Sequence, residues 1–264
     1  MITTNFVQGS PCWLDLGAPD IDAAARFYGA ALGWEFRSFG SDAGGYGVFQ
    51  QDGRTVAAVG RLTEEGARPA WTIYFSTPDA DAAARTVEEA GGTVRVAPAE
   101  VGEEGRLAQF TDPQGGQFAV WQPGKTEGLD QVDAAGSLCW VELYTTDVAA
   151  AREFYGRLFG WRTDGMELPG GGGTYWLITP SGLGEDRMHG GMMQLPAEHL
   201  APTGGKPYWH PVFAVEDCDA AVERITGNGG SVRMGPEDAE GVGRLAVCVD
   251  PAGADFVVLR PAEA

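Results

Sequence analysis

The stretch of sequence that decides the fold is DIDAAARFYGAALGW at residues 20–34, which returns as DVAAAREFYGRLFGW at residues 147–161. Each copy opens with an aspartate, a favoured helix N-cap, and continues with apolar residues at helical spacing. Each copy ends in a Gly-Trp pair, whose glycine suits the C-terminal end of a helix. The two copies lie 127 residues apart, so the chain contains an internal duplication that predicts the same amphipathic helix twice.

The duplication extends on both sides of these helices. Residues 9–16 (GSPCWLDL) return as residues 136–143 (GSLCWVEL) at the same offset, whereas residues 69–71 return as residues 207–209 at an offset of 138. The difference of eleven residues indicates an insertion in the second copy. The glycine run at residues 170–173 lies in the region where we expect that insertion.

Each copy divides again into two modules of strand, helix and three strands. Residues 13–18 alternate as a strand does, Asp20 caps the helix that follows, and Asp79 begins the same pattern again. Asp-Pro-x-Gly turns at residues 112–115 and 250–253 have the residue order of a type I turn. The sequence therefore predicts an α+β protein with a first domain at residues 1–122 (modules at 9–62 and 69–122), a linker at residues 123–135, and a second domain at residues 136–264 (modules at 136–196 and 207–262).

Composition excludes several classes of protein. The chain has 264 residues, 18 Lys and Arg against 37 Asp and Glu, and a net charge of −19. This charge disfavours nucleic-acid backbones and anionic membranes as partners, and an apolar content of 44% disfavours a disordered chain. No apolar run is long enough to span a membrane, no signal peptide is apparent, and the four cysteines form no Cys-x-x-Cys pair. We therefore expect a cytoplasmic protein with reduced cysteines.

The twice-repeated helix motif and the two Asp-Pro-x-Gly turns resemble those of the vicinal oxygen chelate superfamily. That superfamily includes glyoxalase I, bleomycin-resistance proteins and extradiol dioxygenases, and the tandem arrangement resembles its two-domain glyoxalase-like hydroxylases. The resemblance implies four βαβββ modules that form two tandem, open β-barrels. Each barrel would curl around a cavity, with its helices outside.

Metal-dependent members of the superfamily draw ligands from the opening of the first strand of a module and from an acid in its last strand. Carried over by resemblance, the first-strand places in this chain hold Trp13, Thr72, Trp140 and His210. Two of the last-strand places hold Ala119 and Val257. Only His210 has a metal-binding side chain, whereas a catalytic site needs about three protein ligands. We therefore expect no metal and no other cofactor, although a weak site formed by His210 and Glu142 stays open.

Alternation along the strands predicts which side chains point into each cavity. Three of them, Asp15, Glu142 and His210, are candidates for acid–base catalysis, with Glu142 orienting the imidazole of His210. Aromatic walls with a few carboxylates suit a flat ligand that carries hydroxyl or amine donors. The remaining inward side chains, which we expect to bind the ligand, are Trp13, Thr72, Tyr74, Trp121, Trp140, Tyr144, Val212, Asp255 and Val257. The second copy, which holds both Glu142 and His210, is expected to be the more active.

Each of these candidates also has a structural interpretation. In this interpretation, Trp13 and Trp140 fill a closed barrel interior and contact no ligand. His210 is then a core histidine whose hydrogen bonds are satisfied within the protein. The carboxylates of Asp15 and Glu142 would then pair with an arginine of a neighbouring strand, such as Arg106 or Arg244.

The sequence therefore predicts a metal-independent protein of secondary metabolism that binds an aromatic or polycyclic metabolite or antibiotic. Acid–base catalysis, such as isomerisation, cyclisation or lyase chemistry, stays open. The alternatives are a metal-dependent oxygenase, hydroxylase or glyoxalase, and a structural scaffold with closed cavities. The expected partner is a small molecule rather than a nucleic acid or a membrane, and the chain is expected to be a monomer or a homodimer.

Overall fold

The computed structural model describes residues 1–63 and 66–262. Over these residues the chain repeats the element order βαβββ four times, as the sequence predicts. Its helices are α1 (Ile21–Leu32), α2 (Ala80–Glu89), α3 (Val148–Phe159) and α4 (Cys218–Gly227). None of the described helices is long and apolar enough to cross a membrane.

Each helix begins after an aspartate whose side chain caps the first turn. The carboxylate accepts a hydrogen bond of 2.8 to 3.0 Å from the backbone amide three residues later, which satisfies an otherwise unpaired donor; the caps are Asp20, Asp79, Asp147 and Asp217. The helices α1 and α3 end at Gly33 and Gly160, whose φ values of 76° and 71° favour glycine.

The strands form two eight-stranded mixed sheets. The first sheet has the order β2-β3-β4-β1-β5-β8-β7-β6 and consists of β1 (Pro11–Ala18), β2 (Glu35–Ser38), β3 (Gly47–Gln51), β4 (Arg54–Arg61), β5 (Ala70–Ser76), β6 (Thr93–Val101), β7 (Gly105–Thr111) and β8 (Gln117–Pro123). The second has the order β10-β11-β12-β9-β13-β16-β15-β14 and consists of β9 (Leu138–Thr145), β10 (Arg162–Glu167), β11 (Thr174–Thr179), β12 (Gly190–Gln194), β13 (Tyr208–Ala214), β14 (Ser231–Ala239), β15 (Gly243–Val249) and β16 (Asp255–Pro261). Neither sheet is a closed barrel, which agrees with the predicted α+β fold of open, tandem modules.

The chain divides into two compact units that do not follow the order of the modules. Unit 1 comprises residues 1–13, 73–128 and 140–209, and unit 2 comprises residues 14–72, 129–139 and 210–264. Unit 1 thus combines most of modules two and three, and its helices α2 and α3 pack together; unit 2 combines modules one and four, and its helices α1 and α4 pack together. The domain boundaries that the repeat indicates stay a prediction. The last two residues of the predicted second domain, 263–264, lie outside the described residues.

A buried chain of hydrogen bonds joins residues of different modules within each unit. In unit 2, Trp71 Nε1 donates to the hydroxyl of Tyr28 at 3.1 Å, and this hydroxyl donates to Asp250 Oδ2 at 3.1 Å. Burial, followed by the charge of Asp250, raises the pKa of Tyr28 well above its ordinary value. Unit 1 repeats the arrangement: Trp209 Nε1 donates to the hydroxyl of Tyr155 at 2.9 Å, and this hydroxyl donates to Asp112 Oδ2 at 3.0 Å. The helix motif and the Asp-Pro-x-Gly turn therefore meet in space.

Strand register places the extra residues of the second copy in three loops. Between β2 and β3, Arg37 pairs with Val48, whereas their equivalents Asp164 and Leu177 in β10 and β11 are two residues further apart. Leu177 of β11 pairs with Gly191 of β12, whereas the equivalent residue Val48 of β3 pairs with Ala58 of β4. The loop between β11 and β12 is therefore four residues longer than the loop between β3 and β4. The other five precede β13. The glycine run at residues 170–173 therefore accounts for only part of the insertion.

Candidate functional site

The strand β9 presents one polar, half-buried face and one apolar, buried face. Val141 and Leu143 are fully buried, whereas the residues that alternate with them are only half-buried; these are Trp140, Glu142 and Tyr144. This alternation is the one expected of a strand with its core on one side. It places a carboxylate between two aromatic side chains on the face away from the core.

A tyrosine from β11 holds the carboxylate of Glu142. The hydroxyl of Tyr175 donates to Glu142 Oε1 at 2.7 Å and accepts a hydrogen bond from Trp140 Nε1 at 2.8 Å. Burial, followed by the charge of Glu142, raises the pKa of Tyr175 well above its ordinary value. Tyr175 is therefore a neutral hydrogen-bond donor at physiological pH, and it fixes the orientation of the carboxylate.

A glycine makes room for this tyrosine. Gly191 lies beside Glu142 in the parallel pairing of β12 with β9. A Cβ atom on Gly191 would lie 2.1 Å from Cζ of Tyr175, which no side chain tolerates. The absence of a side chain at this position therefore lets the ring of Tyr175 reach the carboxylate of Glu142.

Further aromatic rings complete this site. The hydroxyl of Tyr144 lies 3.5 Å from Glu142 Oε2, and the ring of Tyr144 meets that of Tyr208 edge to face at 5.7 Å. We call Trp140, Glu142, Tyr144, Tyr175 and Tyr208 the Glu142 cluster. All five side chains belong to unit 1, and all are half-buried. A charged acceptor among accessible rings suits a flat ligand that carries a hydroxyl group.

Unit 2 contains a smaller version of the same arrangement. The hydroxyl of Tyr46 donates to Asp15 Oδ1 at 2.7 Å, so the acid–tyrosine pair occurs in both copies. Gly17 and Ala70 stand where the second copy has Tyr144 and Tyr208. The Asp15 pair therefore lacks two of the aromatic side chains of the Glu142 cluster.

Three other predicted ligand-binding residues pack into a hydrophobic cluster of unit 1. Tyr74 and Trp121 are only 3% and 8% exposed. They pack with Cys12 and Ala119, and the partly buried Phe6, Trp13 and Leu107 lie against them. Trp121 Nε1 also donates to the carbonyl oxygen of Thr126 at 2.8 Å. This packing places Tyr74 and Trp121 in the hydrophobic core of unit 1, and their role in ligand binding stays a prediction.

The predicted residues of unit 2 other than Asp15 lie on strands β5, β13 and β16. His210 is buried on β13, and Val212 on the same strand pairs with Val257 on β16. Thr72 on β5 is half-buried. Glu142 belongs to unit 1 and His210 to unit 2, and their catalytic partnership stays a prediction.

Asp255 in unit 2 is an ion-pair partner of two arginines. Its carboxylate is almost fully buried and lies 2.5 Å from Arg68 and 3.1 Å from Arg233. The buried charge is thereby compensated, which is a structural role that the sequence did not predict. The arginines considered as partners of the cavity carboxylates have other partners, Asp81 and Glu100 for Arg106, and Asp219 and Asp238 for Arg244.

The donor set does not fit a catalytic divalent metal. Within residues 1–63 and 66–262, no group of three or more His, Cys, Asp or Glu side chains is placed to hold an ion. At one of the places implied by resemblance, Trp140 uses its indole N–H as a hydrogen-bond donor and has no lone pair for a metal.

Sequence reasoning missed Tyr46, Tyr175 and Tyr208. The offset of 127 pairs Tyr46 with Gly173, because the two extra residues between β10 and β11 hide its correspondence with Tyr175. A register shift of two residues at this hairpin would have revealed the repeated tyrosine.

Comparison with known proteins agrees with the fold. The family model described as Glyoxalase/Bleomycin resistance protein/Dioxygenase superfamily matches residues 12–120 and 137–258. The anthracycline biosynthesis protein DnrV of Streptomyces peucetius is 40% identical over 97% of this chain and 95% of its own length. Its counterpart DauV of Streptomyces sp. strain C5 is 39% identical over 99% and 96%. The structure of the 2,3-dioxygenase LapB from Pseudomonas sp. KL28 has a TM-score of 0.64 at 16% identity, over 97% of this chain and 94% of that one; this likeness concerns the fold alone.

Proposed function

Because the chain belongs to the Glyoxalase/Bleomycin resistance protein/Dioxygenase superfamily, we propose that it binds a flat, hydroxylated aromatic or polycyclic metabolite at the Glu142 cluster, without a metal. Two relatives at 40% and 39% identity are named for anthracycline biosynthesis. An anthracycline has a flat, hydroxylated polycyclic ring system, so these names support a ligand of this class and a role in secondary metabolism.

The observation that carries the proposal is the bond of 2.7 Å between Tyr175 and Glu142 among half-buried rings. A carboxylate that is held in one orientation accepts a hydrogen bond from a ligand hydroxyl without first losing conformational freedom. The rings of Trp140 and Tyr144 offer stacking or edge contacts to an aromatic ligand. The ligand would thus be held by one charge-assisted hydrogen bond and by apolar contact.

The same arrangement supports acid–base chemistry. Glu142 would remove a proton from a ligand hydroxyl or from a carbon next to a carbonyl group, and would return it at another position. Tyr175 acts by orienting the carboxylate. His210 and Asp15, the other candidates for catalysis, stay part of the proposal as secondary acid–base groups that do not contribute to binding. Loss of ligand turnover with quinizarin binding kept, in His210→Ala or Asp15→Asn, would support that role.

The binding test is a titration with quinizarin, a flat dihydroxyanthraquinone, followed by tryptophan fluorescence and calorimetry. We expect Glu142→Gln to weaken binding by about tenfold or more, since one charge-assisted hydrogen bond contributes about 1.5 to 3 kcal/mol. The matched variant Asp15→Asn removes the equivalent charge of unit 2 and should leave binding unchanged. Failure of quinizarin to quench the tryptophan fluorescence or to release heat would contradict the proposal. Loss of binding in Asp15→Asn but not in Glu142→Gln would also contradict it.

A further inference from the structure

The Asp-Pro-x-Gly turns of the two units differ at one residue that decides whether an adjacent groove is filled. In unit 1 this residue is Gln114, and in unit 2 its equivalent is Ala252. The two turns are otherwise alike, because the backbone amides of Gln114 and Ala252 donate to the aspartate of their own turn at 2.9 Å.

In unit 1 the carboxamide of Gln114 occupies a complete hydrogen-bonding site before helix α3. Its Nε2 donates to the backbone carbonyl of Asp147 at 2.8 Å, and its Oε1 accepts from the backbone amide of Asp147 at 3.0 Å. The hydroxyls of Thr145 and Thr146 donate to the same Oε1 at 2.8 and 3.3 Å. This place therefore recognises a primary carboxamide by one acceptor and several donors.

In unit 2 the corresponding place is an open groove of about 560 Å³. Ala18, Pro19 and Ala252 stand where unit 1 has Thr145, Thr146 and Gln114, so three polar side chains are replaced by apolar ones. Asp20 lines the groove, and Phe27 forms part of its apolar wall. Among the described residues, no side chain takes the place of the Gln114 carboxamide at Asp20.

We infer that this groove of unit 2 is a second binding site, which takes a small aromatic molecule bearing a primary carboxamide. The carboxamide would pair with the backbone N–H and C=O of Asp20, as Gln114 pairs with those of Asp147, and the aromatic body would lie against Phe27. Arg26 also lines the groove, so the preference rests on the carbonyl oxygen of Asp20. A carboxamide donates a hydrogen bond to this oxygen, whereas a carboxylate has no N–H to donate and would lie beside the side-chain charge of Asp20. The chemistry therefore favours the amide over the acid.

The test uses the full chain and two matched probes, naphthalene carboxamide and naphthalene carboxylate, with calorimetry and backbone NMR. We expect the carboxamide to bind, with shifts at the amides of Asp20 and Ala252, and to bind about tenfold or more tightly than the carboxylate. Ala252→Gln should abolish this binding, because its side chain would occupy the groove as Gln114 does. Binding of quinizarin at the Glu142 cluster should be unchanged in Ala252→Gln, so the two sites are tested independently.

Gln114→Ala provides the reciprocal control. Removal of the carboxamide should open the equivalent place before α3, so that the protein binds a second equivalent of naphthalene carboxamide, with shifts at Asp147. Three results would overturn the inference: no binding of the carboxamide, equal binding of the carboxylate, or unchanged binding in Ala252→Gln. Loss of a dimer in Ala252→Gln would also overturn it, because the occupant would then be a second copy of the chain.

Discussion

The hydroxyl of Tyr28 donates a hydrogen bond of 3.1 Å to the carboxylate of Asp250, although 222 residues separate them in the sequence. Tyr28 is fully buried and Asp250 is 6% exposed, and the other carboxylate oxygen of Asp250 accepts from the backbone amides of its own turn. The bond therefore ties the helix of module one to the last turn of module four within unit 2.

Removal of this hydroxyl should destabilise the protein. Tyr28→Phe deprives both Asp250 and Trp71 of a buried partner, so we expect the free energy of unfolding to fall by about 1 to 3 kcal/mol. Urea unfolding measures the change. The matched variant Tyr155→Phe removes the equivalent bond of unit 1 and should have a similar effect. A loss below about 0.5 kcal/mol in both variants would show that these bonds do not stabilise the fold.

His189 should make the stability of the protein depend on pH. Its side chain is 1% exposed, neither ring nitrogen has a hydrogen-bond partner among the described residues, and burial lowers its pKa from 6.5 to about 3. The unfolded chain therefore binds the proton more tightly, and stability is lost as the pH falls from 6.5 towards 3, by at most about 1.4 kcal/mol per pH unit from this group.

Replacement of this histidine tests the pH dependence. In His189→Leu, the free energy of unfolding should depend less steeply on pH below 6.5 than in the parent. The variant should also be more stable than the parent at acid pH, since an apolar side chain needs no hydrogen-bond partner. His199→Leu, at an exposed position, serves as the control and should keep the parent slope. Equal slopes in the parent and in His189→Leu would refute this role.

A pair of tryptophan variants separates core from ligand site. Trp121→Ala removes a buried ring that packs with Tyr74 and Phe6, and we expect it to cost about 3 to 5 kcal/mol of stability while quinizarin binding is kept at low temperature. Trp140→Ala removes a half-buried ring of the Glu142 cluster and should cost less stability but weaken quinizarin binding. The reverse pattern, measured by urea unfolding and fluorescence titration, would place the ligand beside Trp121.

Gly191→Ala should disconnect Tyr175 from Glu142. The added methyl group cannot coexist with the tyrosine ring at 2.1 Å, so the ring must move and the bond of 2.7 Å must break. We expect weaker quinizarin binding together with a changed near-ultraviolet circular dichroism spectrum. Gly227→Ala, where nothing lies within 4 Å of the added atom, should change neither signal; unaltered binding in Gly191→Ala would mean that Tyr175 does not orient the carboxylate.

The sequence predicted the modules well because local signals repeat in it. Aspartate caps such as Asp20, and the alternation around Glu142, act over a few residues and appear in both copies, so each copy supports the other. The partners of Glu142 were harder to predict. Tyr175 comes from another strand, and an insertion of two residues hides its correspondence with Tyr46.

Long-range packing was beyond the reach of the sequence. Alternation correctly places Trp121 on a strand, but it does not indicate that Phe6 and Thr126 approach this side chain. Likewise, nothing in the local pattern of Asp255 indicates that Arg68, 187 residues away, compensates its charge. Which inward side chains remain accessible depends on such distant contacts.

The central claim, binding of a hydroxylated aromatic at the Glu142 cluster without a metal, is tested most directly by one titration. The untagged protein is treated with a chelator until elemental analysis detects no Fe, Mn, Ni or Zn, and is then titrated with quinizarin in parallel with untreated protein. We expect the same affinity in both samples, and about tenfold weaker binding in chelated Glu142→Gln. Binding that disappears on chelation and returns when one of these metals is added would contradict the account.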